Sequence, residues 1–175
     1  MESLFEVETV YTKDVLRNVF KQHYKHIQSM VRNIYLIFGC VFMLNALLRI
    51  ISINIEGIAV LIIFSLLSIF FFLMYYIGHL FTFKASYKNT MVFNPTGETT
   101  IYFYDDRLIS NTPLSSLTVF YTQITKAVET NDLYILAFES IQILFAEKAK
   151  FVKGNPEELG KVLRNTVRDY KYEVK

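Results

Sequence analysis

The sequence contains little cysteine, proline or glycine and has no strong excess of one charge. Its 175 residues include one Cys, three Pro and six Gly, which excludes a disulfide-stapled secreted domain, a collagen-like chain and a Pro/Gly-rich disordered chain. The 18 Lys and Arg residues nearly balance the 16 Asp and Glu residues, so no dense basic surface for nucleic acid is indicated. Hydrophobic residues make up 53% of the chain, and this composition favours a membrane protein.

The longest apolar run predicts a transmembrane helix. No residue from 57 to 83 carries a formal charge, and a span over residues 58–81 is long enough to cross about 30 Å of hydrocarbon. A buried helix of a soluble core would show a polar face, or would need more protein around it than this chain supplies. Tyr75 and Tyr76 lie toward the end of the run, where aromatic side chains favour the headgroup level.

A second apolar segment, residues 34–53, predicts another span. The short linker 52–57 predicts that the two spans form an antiparallel helical hairpin. Arg49 lies near the end of the first span and can extend to the interface, with Glu56 across the turn as a partner. Asn45 is predicted to hydrogen-bond between the spans, with a functional polar site as the alternative.

Basic residues flank the two spans on one side of the predicted membrane. They are Lys13, Arg17, Lys21, Lys25 and Arg32 before the first span, and Lys84 and Lys88 after the second. The positive-inside rule then predicts a multi-pass protein of the cell inner (plasma) membrane with both termini cytoplasmic. The first 33 residues lack the apolar region of a cleavable signal peptide, so none is expected.

Residues 1–33 are predicted to form a cytoplasmic strand followed by an amphipathic helix. Residues 4–11 alternate between apolar and polar positions, whereas apolar residues after position 12 recur at helical spacing. Four basic residues form a separate stripe on this helix and, with Lys84 and Lys88, are candidate membrane-surface contacts: Lys13, Arg17, Lys21 and Lys25. Two interpretations stay open, because the helix could lie on the anionic leaflet or pack on the C-terminal domain.

Residues 84–175 have the composition of a soluble domain with one modest core, which the positive-inside rule places in the cytoplasm. Short runs rich in β-branched and aromatic residues, separated by turn residues, predict an antiparallel meander. The predicted strands are 89–93, 99–104, 107–110, 116–121, 125–129, 133–138 and 141–145. Asn155 as an N-cap and Pro156 at the first helical position predict a C-terminal helix that covers one opening of the curved sheet.

Seven antiparallel strands followed by a helix is the order of a pleckstrin-homology-like (PH-like) barrel. Together with the two spans, residues 98–109, 117–129, 132–138 and 155–159 resemble the YcxB-like family of bacterial membrane proteins. The resemblance implies a membrane α+β fold, in which a two-helix transmembrane hairpin carries a C-terminal PH-like β-barrel closed by an α-helix. It implies no activity for particular residues. The chain departs from the family at Phe120 and Tyr121, where a Trp is expected.

The residue patterns indicate no catalytic, cofactor-binding or metal-ligating site. His23 and His26 are three residues apart, but no further ligand lies at a matching spacing, so a hydrated surface pair is the preferred interpretation. Asp105 and Asp106 are explained by a turn between two strands. We therefore expect a noncatalytic protein.

Lys148, Lys150 and Lys153 form the densest basic run, a possible basic surface for which a solvated face is the preferred interpretation. Two functions remain open. In the favoured one, the cytoplasmic PH-like domain is a membrane-tethered protein-interaction module whose partners are the lipid bilayer and a protein or a second copy of the chain. In the alternative, the chain is a small membrane regulator, immunity-type protector or transport accessory that acts through the hairpin.

Overall fold

The computed structural model describes residues 2–50, 55–138 and 142–172. The chain divides into two compact units: the sheet unit, Met1–Val19 with Lys84–Lys175, and the helical unit, Phe20–Phe83. The helices are α1 (Lys13–His26), α2 (Ser29–Ile50), α3 (Ile55–Phe93) and α4 (Pro156–Thr166). The strands are β1 (Phe5–Val10), β2 (Glu98–Phe103), β3 (Arg107–Asn111), β4 (Ser116–Phe120), β5 (Ile124–Glu129), β6 (Leu133–Phe138), β7 (Gln142–Glu147), β8 (Phe151–Lys153) and β9 (Tyr170–Tyr172).

The helical unit contains α2 and α3 as an antiparallel pair. The Tyr35 ring of α2 lies 6.2 Å from the Phe71 ring of α3, and the Phe42 ring lies 5.9 Å from the Phe64 ring. The contacts advance along α2 while they go back along α3, which is the direction that a hairpin requires. Residues 52–54 of the predicted linker lie outside the described residues.

Both helices are long and apolar enough to cross a membrane. The candidate spans are Ser29–Ile50 and Ile58–Lys88. Within the most apolar 18-residue stretch of each helix, only 11% and 6% are buried inside the protein. A core helix of a soluble protein buries most of its surface instead. Together with their composition, this low burial indicates a membrane protein.

The predicted strand at residues 89–93 is wrong, because α3 continues through Phe93. The segment is short and contains residues that favour strands, but extending an existing helix adds one hydrogen bond for each residue that is fixed. Such propagation overrides a weak local β propensity.

The second half of α1 packs on α3. The Tyr24 hydroxyl donates to the Met74 carbonyl over 2.8 Å, and the Phe20 ring contacts the Phe83 ring at 6.1 Å. A Cβ atom at Gly78 would lie only 2.6 Å from the Tyr24 hydroxyl oxygen, so the absence of a side chain there allows this approach. Neither of the two interpretations of this helix anticipated the contact with α3.

The sheet unit contains a five-stranded sheet in the order β4-β3-β2-β1-β8 and a four-stranded sheet in the order β7-β6-β5-β9. The predicted N-terminal strand is confirmed as β1, which lies between β2 and β8. Val7 is opposite Ile101 of β2, and Glu6 is opposite Lys153 of β8. The helices α1 to α3 are therefore inserted between two strands that pair with each other.

The expected closed β-barrel is not observed, because the strands described by the structure form two open sheets. The chain leaves β4 through a 3-10 turn, Tyr121–Gln123, and enters β5 in the other sheet. The six predicted strands after residue 98 are confirmed as β2 to β7, whereas β8 and β9 have three residues each and are too short for an alternating pattern to predict them. The C-terminal helix is confirmed as α4, where the Asn155 side chain accepts from the Glu157 amide over 2.9 Å.

One hydrophobic core joins both sheets and α4. Its members include Val7 of β1, Phe103 of β2 and Tyr134 of β6, each no more than 1% exposed. Leu159 and Leu163 of α4 are fully buried in the same cluster. The N-terminal strand therefore supplies part of the core of the C-terminal domain.

Candidate functional site

A buried carboxylate lies at the end of β5 in the four-stranded sheet. Glu129, the last residue of β5, is 6% exposed. Its carboxylate is 2.6 Å from the Lys148 Nζ atom and accepts a hydrogen bond from the Tyr134 hydroxyl over 3.1 Å. The Tyr170 hydroxyl of β9 also donates to it, and Arg164 of α4 lies 3.7 Å away. We call these five residues the Glu129 cluster.

The cluster keeps its carboxylate ionised. Burial raises the pKa of Glu129, but the hydrogen bonds from Lys148 and Tyr170 and the charge of Lys148 outweigh burial, so the pKa lies below the usual 4.5. Burial raises the pKa of the Tyr134 and Tyr170 hydroxyls, and the neighbouring carboxylate raises it further. These hydroxyls are therefore neutral hydrogen-bond donors at pH 7.

The cluster holds the C-terminal segment against the sheet. β9 pairs in parallel with β5, and the Lys126 Nζ atom lies 3.1 Å from the Asp169 carboxylate just before β9. The Arg164 guanidinium lies 5.4 Å from the centre of the Tyr170 ring. Because several donors already occupy the Glu129 oxygens, the arrangement is suited to fixing α4 and β9 rather than to proton transfer. The sequence does not indicate this cluster, because its members come from β5, β6, α4, β9 and the segment after β7, which only the tertiary structure brings together.

The edge strand β4 offers a different kind of site. It ends the five-stranded sheet and pairs only with β3 among the strands that the structure describes. Leu114, Leu117 and Phe120 in and before this strand are 67%, 39% and 42% exposed. The other end strand of this sheet, β8, has three residues, so β4 is its longer open edge. Exposed apolar side chains on such an edge favour pairing with another strand.

The hydrogen-bond pattern shows which β4 residues face outward. The Tyr121 amide donates to the Asp106 carbonyl over 3.0 Å, and the Ser115 carbonyl accepts from the Thr112 amide over 2.8 Å. In an antiparallel pair the residues alternate in direction, so odd-numbered residues of β4 bond to β3 and even-numbered residues face away. The backbone of Thr118 therefore faces the open edge.

At the Phe120 end of β4, the outward-facing backbone amide already has a hydrogen-bond partner. The Phe120 amide donates to the Gln123 side chain over 2.9 Å, which agrees with the outward direction of even-numbered residues. A strand that adds to β4 would therefore bond to the backbone of Ser116 and Thr118. The spacing of apolar and polar residues predicted the strand, but only the sheet order identifies it as an edge.

The predicted basic contacts occupy different surroundings. On α1 and α3 the basic side chains are exposed, namely Lys13, Arg17, Lys21, Lys25, Lys84 and Lys88. In the possible basic surface, Lys148 belongs to the Glu129 cluster, Lys153 lies 2.6 Å from Glu2, and Lys150 is exposed. The structure therefore does not bring these three lysines together as free charges.

The polar residues of the spans are placed as follows. The Asn45 amide donates to the Val41 carbonyl of its own helix over 2.8 Å, rather than to the neighbouring span as predicted. A hydrogen bond between the spans comes instead from the Ser68 hydroxyl, which donates to the Gly39 carbonyl over 3.0 Å. Arg49 lies in the last turn of α2, and the side chain of Glu56 lies outside the described residues.

The interpretation of His23 and His26 as a hydrated surface pair is wrong. Both residues are buried, at 5% and 6% exposure. Burial lowers the pKa of His23 to about 4, so its imidazole is neutral at pH 7. Within the part of the chain that the structure describes, no three His, Cys, Asp or Glu side chains form a group that could hold a metal ion.

Comparison with known protein families gives one match. The model of the YcxB-like protein family matches residues 103–163, which confirms the resemblance derived from the sequence. The matched segment extends from the end of β2 into α4, so it includes β4 and Glu129 but neither apolar helix. A comparison with curated proteins finds no match.

Proposed function

We propose, from the match of residues 103–163 to the YcxB-like protein family and from the two candidate spans, that the PH-like sheet unit is a noncatalytic, membrane-tethered protein-interaction module. The observation that carries the proposal is the open β4 edge with its exposed apolar side chains. A partner strand would gain main-chain hydrogen bonds from β4, and apolar side chains beside the edge would provide selectivity.

The tether strengthens such an interaction. Two spans hold the sheet unit at the membrane, so a partner in the same membrane meets it at a high effective concentration. An edge of only five residues, Ser116–Phe120, can then support a useful complex despite a modest intrinsic affinity. The proposed partner is a membrane-associated protein or a second copy of the chain.

A photo-crosslinker at Leu114 tests the proposed edge in the full-length protein in cells. We expect a crosslinked adduct in the wild type and its loss in Thr118→Pro, because proline removes the outward amide without removing a bond to β3. The matched control is Thr118→Val, which changes the side chain but keeps the amide, and we expect the adduct to persist. The mass of the adduct distinguishes a second copy from another protein.

Two results would contradict the proposal. In one, the Thr118→Pro protein unfolds at the same temperature as the wild type and gives the adduct in equal yield. The outward backbone amide of β4 would then be dispensable for the interaction. The other is loss of the adduct in Asn45→Leu while Thr118→Pro retains it. That pattern would move function to the hairpin, as expected for a regulator, immunity-type protector or transport accessory.

We also propose that both termini are cytoplasmic in the inner (plasma) membrane. The support is the exposed basic side chains beside the spans, such as Arg17 and Lys84, because such residues are retained on the cytoplasmic side. In a Cys40→Ser background, we expect Asn54→Cys to react with a membrane-impermeant maleimide in intact cells. Lys161→Cys should react only after permeabilisation, and the reverse labelling would overturn this orientation.

A further inference from the structure

Arg32 lies in the first turn of α2, close to aromatic side chains. The centre of its guanidinium group is 5.4 Å from the centre of the Tyr75 ring of α3, a distance suited to a cation–π interaction. Tyr24 of α1 lies close enough to Arg32 and Tyr75 for both to influence the pKa of its hydroxyl. The Tyr75 ring therefore orients the Arg32 guanidinium but does not neutralise its charge.

The charge of Arg32 has no protein counterion in its own unit. The helical unit, Phe20–Phe83, contains a single acidic residue, Glu56. Glu56 lies near the start of α3, about 28 Å along that helix from Tyr75 at 1.5 Å for each residue. Among the residues that the structure describes, the buried Nε atom of Arg32 finds no hydrogen-bond acceptor.

The neighbouring Tyr24 does not supply the missing charge. Its hydroxyl donates to the Met74 carbonyl, and burial, followed by the nearby Tyr35, raises the pKa of this hydroxyl. Tyr24 is therefore neutral at pH 7. A partly buried guanidinium whose charge no nearby acidic residue of its own unit balances is unfavourable, so this position is suited to an anion bound from outside this unit.

The depth of Arg32 indicates the source of that anion. The apolar run of α2 begins two residues later at Ile34, and Tyr76, beside Tyr75, is 70% exposed. Tyr76 lies five residues before the end of the predicted span 58–81, and tyrosines near the ends of spans favour the headgroup level, where lipid phosphates are present. Arg32 is only partly buried, so a headgroup can reach it from the lipid side.

We infer that Arg32 and Tyr75 form a binding site for the phosphate of an anionic phospholipid. The guanidinium supplies paired N–H donors in the planar arrangement that matches phosphate oxygens, and the Tyr75 ring holds its plane. The exposed Lys21 on α1 of the same unit favours a headgroup of net negative charge over a zwitterionic one. This site is independent of the proposed β4 edge.

The test measures thermal unfolding of the full-length protein in a neutral detergent with added phosphatidylglycerol or phosphatidylcholine. We expect phosphatidylglycerol to raise the Tm of the wild type, and this shift should be absent in Arg32→Gln. The matched control, Lys21→Gln, removes the same charge from an exposed position without a ring partner and should keep most of the shift. Inorganic phosphate at the same concentration should produce none.

Three outcomes would overturn the inference. The first is a Tm shift with phosphatidylglycerol that is unchanged in Arg32→Gln. The second is an equal loss of the Tm shift in Lys21→Gln, which would indicate general electrostatic attraction. The third is an equal Tm shift with inorganic phosphate, which would exclude a lipid-specific site. Arg32→Lys keeps the charge and provides a second measurement if Arg32→Gln does not fold. Because Lys lacks the planar paired donors, we expect phosphatidylglycerol to bind about tenfold more weakly to this variant, and equal affinity would also overturn the inference.

Discussion

A protein with residues 20–83 replaced by a short linker is expected to fold as a water-soluble domain, whereas residues 84–175 alone are expected not to fold. The first variant keeps β1 and the second lacks it. β1 pairs with β2 through six residue pairs and also with β8, and its Phe5 and Val7 belong to the core. Without β1 the five-stranded sheet loses the strand that joins β2 to β8.

The ends to be joined are close together. The Phe20 and Phe83 rings are 6.1 Å apart, and a linker of about six Gly and Ser residues can extend to about 20 Å. The sheet unit, Met1–Val19 with Lys84–Lys175, is thereby left intact. Circular dichroism and thermal unfolding should show a cooperative transition for the linked protein and none for residues 84–175.

A point variant separates the role of β1 from the effect of chain length. Val7 is fully buried, so Val7→Asp in the linked protein places an unpaired charge in the core and should abolish the transition. Val10→Asp in the same strand is the control, because Val10 is 44% exposed, and it should retain the transition. Cooperative unfolding of residues 84–175 without β1 would contradict this account of the fold.

Glu129→Ala is expected to destabilise the sheet unit by about 3–5 kcal/mol, the usual cost of removing one partner from a buried ion pair. The substitution leaves the Lys148 ammonium and the Tyr170 hydroxyl without their shared acceptor, whereas the Tyr134 hydroxyl keeps the Pro156 carbonyl at 2.8 Å. The control is Glu157→Ala at an exposed position in the first turn of α4, where a loss of about 0.3–1 kcal/mol is expected. Denaturant unfolding of the linked protein measures both values.

The same residue predicts a pH dependence. The folded state lowers the pKa of Glu129 below the usual 4.5, so the unfolded state binds the proton more readily. The stabilisation by Glu129 is therefore complete above about pH 5.5, which is one unit above the pKa of 4.5 in the unfolded chain. It is lost as the pH falls below 4.5 toward the lower pKa of the folded state. Glu129→Gln should lack this component, and an equal acid dependence in Glu129→Gln and the wild type would show that other groups cause it.

The sequence predicted the local elements of this protein well. Two apolar runs of spanning length indicated the hairpin, because crossing hydrocarbon requires about 20 apolar residues whatever surrounds them. Asn155 and Pro156 located the start of α4 for a similarly local reason, since a cap acts on amides two or three residues away. The alternating segment at residues 4–11 was confirmed as β1.

The sites depend on contacts that no local pattern contains. Whether β4 is an edge depends on the order of all strands, and the Glu129 cluster joins side chains from β5, β6, α4 and β9 with a lysine that follows β7. Arg32 appeared in the sequence as one of several flanking charges, and only the placement of α3 beside it shows the Tyr75 ring against its guanidinium and, among the described residues, a buried Nε atom without an acceptor. Short-range hydrogen bonding and hydrophobicity determine the elements, whereas pairing between distant segments determines which surfaces stay open and which charges stay unpaired.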